Sequence, residues 1–553
     1  MNKKVCSFPI LFALLTLLIG TCAVVFPASA QAAPTATGSI TVSGTVASSY
    51  DAYQIFSANV VDGDSDAKIA TDLAWASDAV RDAALPVLHS AGMPNSQTTA
   101  QEAAEWLNAD SHLTSALSAQ LARSLQSSGA EPVALNAGTA AELSCGYWLI
   151  VADDDAIAQN EAGTAPIMAL VGGSAVTVKP KAATPKVAKH VLEDSTAAWQ
   201  KAADATVADD LYWRLSATVP AGLTAYDTYT VRFVDTMSAG LDPSKVAASM
   251  RVYAAAGADG GFDAVSCEGG NANSTPAKGW TDITSQCKVS VDGNAFTVRT
   301  GDLIAALGGA DAFTAGARVV AVYNAPLNSA CNHGIAKGNP NEVYLRYPRS
   351  PFADQSGNAG FTRTPSDDAC AYTWDLALTK RGSDGDKPLA GAVLSITDDR
   401  GRTLAADGTW DAGGKATVTT GEDGRVTVSG VDSGKLEVRE LKAPKGYTAF
   451  EGTRSVTVKA EGLDVDQVAA AKPKLTIAAE SPLRADSADG STGSLEASII
   501  NTPTGTPPSI TTGGFMPLTG DMAMYAVAAA AVAGAALIVV ALLIKRGGGS
   551  HKE

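Results

Sequence analysis

From residue 180 to residue 503 the chain is a succession of short runs in which apolar and polar residues alternate, each closed by Gly, Pro, Asn or Asp. A period of two sends alternate side chains to opposite faces of a strand, so each run has one face for a core and one for water. Regular short strands separated by such turns predict β-sandwiches. Two sandwich blocks are expected, at 180–373 and 374–503, with no tandem repeat of fixed period. The block before them, 34–179, opens with strand-like "GSITVSGTV" and "YDAYQIFSANVV" and then changes period. Leu113, Leu117, Leu121 and Leu125 recur every four residues, the spacing of one helix face. It closes on "CGYWLIVAD" and "SAVTVKPK". The fold expected is mainly β: tandem sandwiches behind an α+β N-terminal domain with a helical insertion.

The two ends read as export and anchoring signals. "MNKKVCSFPILFALLTLLIGTCAVVFPASAQAAP" has a basic start, an apolar stretch and small residues at Ala28-Ser29-Ala30, so 1–33 is expected to be a signal peptide. Near the C-terminus, 522–544 is uncharged and long enough to span a bilayer as a helix, and Lys545 and Arg546 follow it. The positive-inside rule leaves the bulk of the chain outside the cytoplasm. A Pro/Thr/Gly-rich segment, 504–515, reads as a spacer. The formal net charge of -16 repels phosphate backbones and argues against nucleic-acid partners. Five cysteines lie beyond the signal peptide. Export permits disulfides, and Cys267–Cys287 or Cys331–Cys370 are the pairs considered, with Cys145 read as a small buried residue. The five histidines are scattered, and "DGDSD" at Asp62–Asp66 is followed by Ala67 where a calcium loop needs Gly. No metal, cofactor or turnover chemistry is expected.

Strand parity carries the chemistry. In "LALTKR", Lys380 shares a face with Leu376 and Leu378, and in "KVAKHV", Lys189 shares one with Val187 and Val191. Both lysines are turned towards a core, where an unpaired ammonium costs several kcal/mol. Acids follow the same pattern: Asp235 aligns with Tyr229, Val231 and Phe233, and Glu440 with Leu436 and Val438. So do two amides, Asn341 with Val343, Leu345 and Tyr347, and Asn501 with Leu495, Ala497 and Ile499. Each block therefore offers an inward Lys early, an inward acid in the middle and an inward Asn late. Desolvation makes a lysine a neutral nucleophile and a carboxyl group a proton carrier. Attack of the amine on the Asn carbonyl would expel ammonia and leave an amide between side chains.

These residues resemble the sortase-assembled backbone pilins of Gram-positive bacteria, of the SpaA type. "YDAYQIFSA" is similar to the opening of their N-terminal domain. "AWQKAADATVADDLYWRLSATVPAGLTAYDTYTVRFVDTMSAGL" and "GNPNEVYLRY" resemble their middle domain, and "LALTKRGSDGDKPLAGAVLSI" with "EVRELKAPKGY" a CnaB-type domain whose E box matches Glu440. The resemblance implies Ig-like domains (CnaA and CnaB types) with autocatalytic isopeptide bonds Lys189–Asn341, promoted by Asp235, and Lys380–Asn501, promoted by Glu440. Asn328 and Asn339 are alternatives to Asn341, which parity selects. Met516-Pro517-Leu518-Thr519-Gly520 is similar to the family's Leu-Pro-x-Thr-Gly sorting signal, with Met516 at the Leu position. It implies sortase cleavage between Thr519 and Gly520 and transfer of Thr519 to an amine. Lys181, turned outwards by parity, is the candidate amine on the next subunit, with Lys179 and Lys186 as alternatives. The partners implied are pilus-specific and housekeeping sortases, other copies of the chain, peptidoglycan and a surface receptor. The implied role is a structural backbone subunit of an adhesive surface pilus. The alternative is a singly displayed wall-anchored adhesin or accessory (basal) pilin.

Overall fold

The computed structural model describes residues 36–64, 67–109, 111–163, 165–180, 184–221, 223–257 and 279–505. The signal peptide, Lys181, Cys267, the sorting signal 516–520 and the apolar run 522–544 lie outside them. Among the described residues no helix is long and apolar enough to cross a membrane.

The chain is mostly β, in several antiparallel-rich sheets. Strands between Thr37 and Val178 form one three-stranded and one five-stranded sheet. Three helices are inserted there: α1 (Asp78–Ser90), α2 (Ala100–Asn108) and α3 (Ser115–Ser127). Each begins where a hydroxyl caps it, with Ser77, Thr99 and Thr114 accepting from the backbone N–H three residues on. The four-residue leucine spacing is real but shorter than expected. Leu117, Leu121 and Leu125 are buried on α3, whereas Leu113 precedes the Thr114 cap and stands outside the helix.

The middle sandwich packs a six-stranded sheet against a seven-stranded one. The first contains β1 (Lys186–Glu193), β2 (Tyr212–Val219) and, beyond it, β4 (Ala317–Asn324). The second contains β3 (Arg232–Met237) paired antiparallel with β5 (Asn339–Pro348). The C-terminal sandwich has β6 (Trp374–Gly382) paired in parallel with β8 (Ser494–Pro503), facing a sheet that contains β7 (Gly434–Lys442). Inward residues of these strands, such as Leu215, Phe233, Val343, Leu378, Val438 and Ile499, are fully buried and make the two cores. Polar contacts tie the two sandwiches together: Asp204 accepts from Trp374 Nε1 at 2.6 Å, and Arg402 binds Asp209 at 2.5 and 2.7 Å.

The cysteines differ from one expectation. Cys331 and Cys370 are both free, as are Cys145 and Cys287. Cys370 is buried with Sγ 3.7 Å from the Ala371 carbonyl, while Cys331 turns towards His333, so the pair does not meet. Cys145 is 2% exposed, the small core residue expected.

Candidate functional site

Each sandwich encloses a Lys, an acid and an Asn that share one buried pocket, and the two sites are built differently. In the C-terminal sandwich, β6 and β8 run side by side with Lys380 opposite Ile499 and Gly382 opposite Asn501. The alternation that points Leu376 and Leu378 inwards also points Lys380 inwards, and the next inward position on β8 after Ile499 is Asn501. Glu440 comes from β7 in the facing sheet. Lys380 is fully buried, Asn501 is 2% exposed and Glu440 6%. Lys380 Nζ donates to Asn501 Oδ1 and lies 3.0 Å from Glu440 Oε1, which also accepts from Asn501 Nδ2 at 2.8 Å. The other carboxylate oxygen accepts from the Phe450 N–H at 3.1 Å, and the Phe450 ring lies 5.5 Å from the ammonium. Burial lowers the Lys380 pKa to about 8, against the opposing pull of Glu440.

In the middle sandwich the lysine reaches across from the opposite sheet. Lys189, on β1, meets Asp235 on β3 and lies near Asn341 on β5, and all three side chains are fully buried. Asn341 pairs with Met237, two residues along β3 from Asp235, so acid and amide are near neighbours on one face. Lys189 Nζ is bonded to Asp235 Oδ2. Burial lowers the Lys189 pKa to about 8 and raises that of Asp235, so both shifts run towards a neutral amine beside a protonated carboxyl group. Trp213 and Tyr323 wall the amine at 5.5 and 5.4 Å. Behind it, Lys201 donates to the Lys189 carbonyl at 2.8 Å and pairs with Asp367, which accepts from the Lys189 N–H at 2.6 Å. That second pair fixes the backbone from which Lys189 projects.

Of the three asparagines considered, Asn341 is the one that shares this pocket. Asn339 is buried but committed to its surroundings: Oδ1 accepts from the Asn332 N–H, and Nδ2 donates to the Asn332 and Ala371 carbonyls. Asn328 donates to the Ala239 carbonyl elsewhere. Asn341 Nδ2 does not meet the lysine directly. It donates to Tyr323 Oη at 2.8 Å, and Tyr323 Oη also accepts from Lys189 Nζ at 2.8 Å. Tyr323 escaped the sequence reading. Parity places it inward with Val319 and Ala321, but nothing in the run marks its hydroxyl as a partner of the site.

Elsewhere, Lys179 and Lys186 flank the undescribed Lys181, and both are exposed. A line of Cys331, His333 and Asp375 forms near the junction of the sandwiches, with Sγ 3.5 Å from Nε2 and Nδ1 2.7 Å from the carboxylate. It resembles a nucleophile–base–acid arrangement, yet burial pushes the thiol up to about 11, far from a thiolate at neutral pH.

Residues 375–472 match the family model of the SpaA prealbumin-like fold domain. The trypsin-resistant surface T6 protein of Streptococcus pyogenes serotype M6 is 29% identical over 143 residues, a match that spans 24% of this chain and 24% of that relative. Among solved structures, the T6 backbone pilin of serotype M6 Streptococcus pyogenes, described as a modular three-domain structure, aligns with a TM-score of 0.46 at 16% identity over 85% of this chain and 98% of its own. The full-length major pilin SpaD of Corynebacterium diphtheriae aligns with a TM-score of 0.41 at 15% identity over 84% and 98%.

Proposed function

We propose that this chain is a structural backbone subunit of a sortase-polymerised, cell-wall-anchored pilus, in which Lys189–Asn341 and Lys380–Asn501 become isopeptide bonds. The observation that carries the reading is the pair of sealed Lys/acid/Asn sites, one in each sandwich. A single buried ion pair would be ordinary. Two, each with an amide against the amine or one hydroxyl away from it, are the reactants of amide formation buried away from the protein surface. In each, the acid relays protons: Asp235 in the middle domain and Glu440 in the C-terminal one. The amine nitrogen bonds to the Asn carbonyl carbon, the C–N bond to Nδ2 breaks, and ammonia leaves with the proton that the amine gave up. The bonds suit a chain pulled from its ends. The C-terminal one ties first strand to last, and the middle one ties the first strand to the facing sheet.

Assembly follows from the ends of the chain. A sortase cleaves after Thr519 in Met516-Pro517-Leu518-Thr519-Gly520 and passes the Thr519 carbonyl to a lysine of the next copy, Lys181, with Lys179 and Lys186 as the exposed neighbours. The last subunit passes to peptidoglycan, and the fibre presents its surface to a host or bacterial receptor. The family-model match and the T6 relative support the backbone-subunit reading; the assembly steps rest on the sequence of the tail and of the 179–186 segment.

Intact-mass analysis of the processed chain is expected to find it lighter by two ammonia molecules, and a mass equal to the unmodified chain overturns both internal bonds. Surface extracts are expected to show a detergent-resistant ladder that Lys181→Ala collapses to monomer. A ladder unchanged by Lys181→Ala moves the polymerising amine elsewhere. No ladder in the unsubstituted chain instead favours a singly displayed adhesin or accessory pilin.

A further inference from the structure

The middle site has a component that its C-terminal counterpart lacks. Tyr323 Oη accepts from Lys189 Nζ at 2.8 Å and from Asn341 Nδ2 at 2.8 Å and donates to Asp235 Oδ2 at 3.2 Å, so one hydroxyl touches all three groups. The side chain is fully buried, and its ring is held edge-on to Phe296 with centroids 4.7 Å apart. In the C-terminal site the acid itself accepts from the Asn amide nitrogen, at 2.8 Å. In the middle site that atom donates instead to the phenol. Asp235 Oδ1 and Asn341 Oδ1 have no hydrogen-bond partner, and Asp235 Oδ2 is taken by Lys189 and Tyr323, so neither carboxyl oxygen is bonded to the amide. For ammonia to leave, Nδ2, which becomes pyramidal and basic once the carbonyl carbon is attacked, must gain a proton, and the phenol it contacts is then in position to turn its hydrogen from Asp235 and deliver it.

We propose that Tyr323 is a catalytic residue of the middle domain, passing a proton from Asp235 to the departing Nδ2 of Asn341. The relay rests on the isopeptide reading of that domain. Neutral Lys189 Nζ attacks Cγ of Asn341, giving a tetrahedral centre with a positively charged Nζ and a negatively charged Oδ1. As the C–Nδ2 bond breaks, the phenol gives its hydrogen to Nδ2 and takes the proton of the Asp235 carboxyl group. The Asp235 carboxylate then takes one proton from Nζ. The products are an amide, ammonia, and Tyr323 and Asp235 restored to their starting forms, with no other reactant consumed. Glu440 does both jobs directly in the C-terminal domain, which therefore needs no intermediary.

The test is a time course of cell-free translation of the full chain, quenched and digested, with the Lys189–Asn341 and Lys380–Asn501 cross-linked peptides read by mass spectrometry. Tyr323→Phe keeps the ring and is expected to slow the first cross-link roughly 10²- to 10⁴-fold, the usual range for a lost general acid, while leaving the second unchanged. Site-specific fluorotyrosines at 323 keep both ring and hydroxyl and change only phenol acidity. The first cross-link is expected to follow that acidity, a response that a hydroxyl with a merely structural role does not give. If Tyr323→Phe does not fold, the fluorotyrosine series decides alone. An unchanged rate in Tyr323→Phe, or one indifferent to phenol acidity, overturns the relay and leaves the isopeptide reading standing. Absence of the first cross-link from the unsubstituted chain overturns both.

Discussion

Glu440→Gln is expected to leave Lys380 and Asn501 unjoined and the C-terminal domain about 5 kcal/mol less stable than the cross-linked form. The substitution preserves volume, and its amide oxygen can still accept from Asn501 Nδ2, 2.8 Å from Glu440 Oε1 in the native site. It cannot take a proton from the amine and return one to the leaving nitrogen. Lys380 and Asn501 are 121 residues apart, so a bond between them closes almost the whole domain into a loop. The chain-entropy estimate developed for disulfides gives about 5 kcal/mol for a loop of that size, because the open chain regains the freedom the bond removes. For a domain of this size that is a fall in Tm on the order of 15 °C. Relative to the mass calculated for its own sequence, the variant is expected to have lost one ammonia instead of two, and it is expected to melt earlier in its C-terminal part. A variant that still loses both ammonia molecules removes Glu440 from the chemistry.

How far the sites were readable in the sequence depends on what parity can carry. The inward faces of "LALTKR", "KLEVRE" and "LEASIIN" follow from a period of two, and Lys380, Glu440 and Asn501 are buried as that period requires. The same holds for Lys189, Asp235 and Asn341. Parity gives the face and not the sheet. The C-terminal Lys and Asn lie on adjacent strands of one sheet, whereas Lys189 points towards Asn341 from the facing sheet, a difference set by strand order. Nor does parity tell what covers an outward face. Arg232 sits on the side of β3 opposite Asp235 but is 8% exposed, because its guanidinium lies 4.0 Å over the Phe361 ring and bonds the 355 and 357 carbonyls. Tyr323 illustrates the third limit: an inward aromatic residue looks like core packing until the fold brings its hydroxyl to a partner. The Cys331–Cys370 pair fails because Cys370 is buried in its strand while Cys331 turns towards His333, a difference that the sequence does not encode locally.

Removing the amide isolates the energetic cost that the cross-link relieves. Asn501→Ala leaves Lys380 as a free amine, buried between the sheets. Burial lowers its pKa to about 8 in the folded chain, whereas an unfolded lysine titrates near 10.4. Between those values the unfolded chain binds a proton that the folded chain does not, so stability must rise with pH. Below about pH 8 both states hold the proton, and the cost of burying the charge is paid in full. Across the window the gain approaches about 3 kcal/mol, from the size of the shift. Denaturant midpoints of Asn501→Ala at pH 7.5 and pH 10 are expected to differ in this sense. Lys380→Met/Asn501→Ala, which keeps an unbranched side chain without the charge, supplies the background from every other titrating group. Stability that rises with pH in Asn501→Ala relative to that background establishes the neutral amine the chemistry needs. Stability that falls instead means that Glu440, 3.0 Å away, holds the lysine charged, and that deprotonation limits formation of the bond.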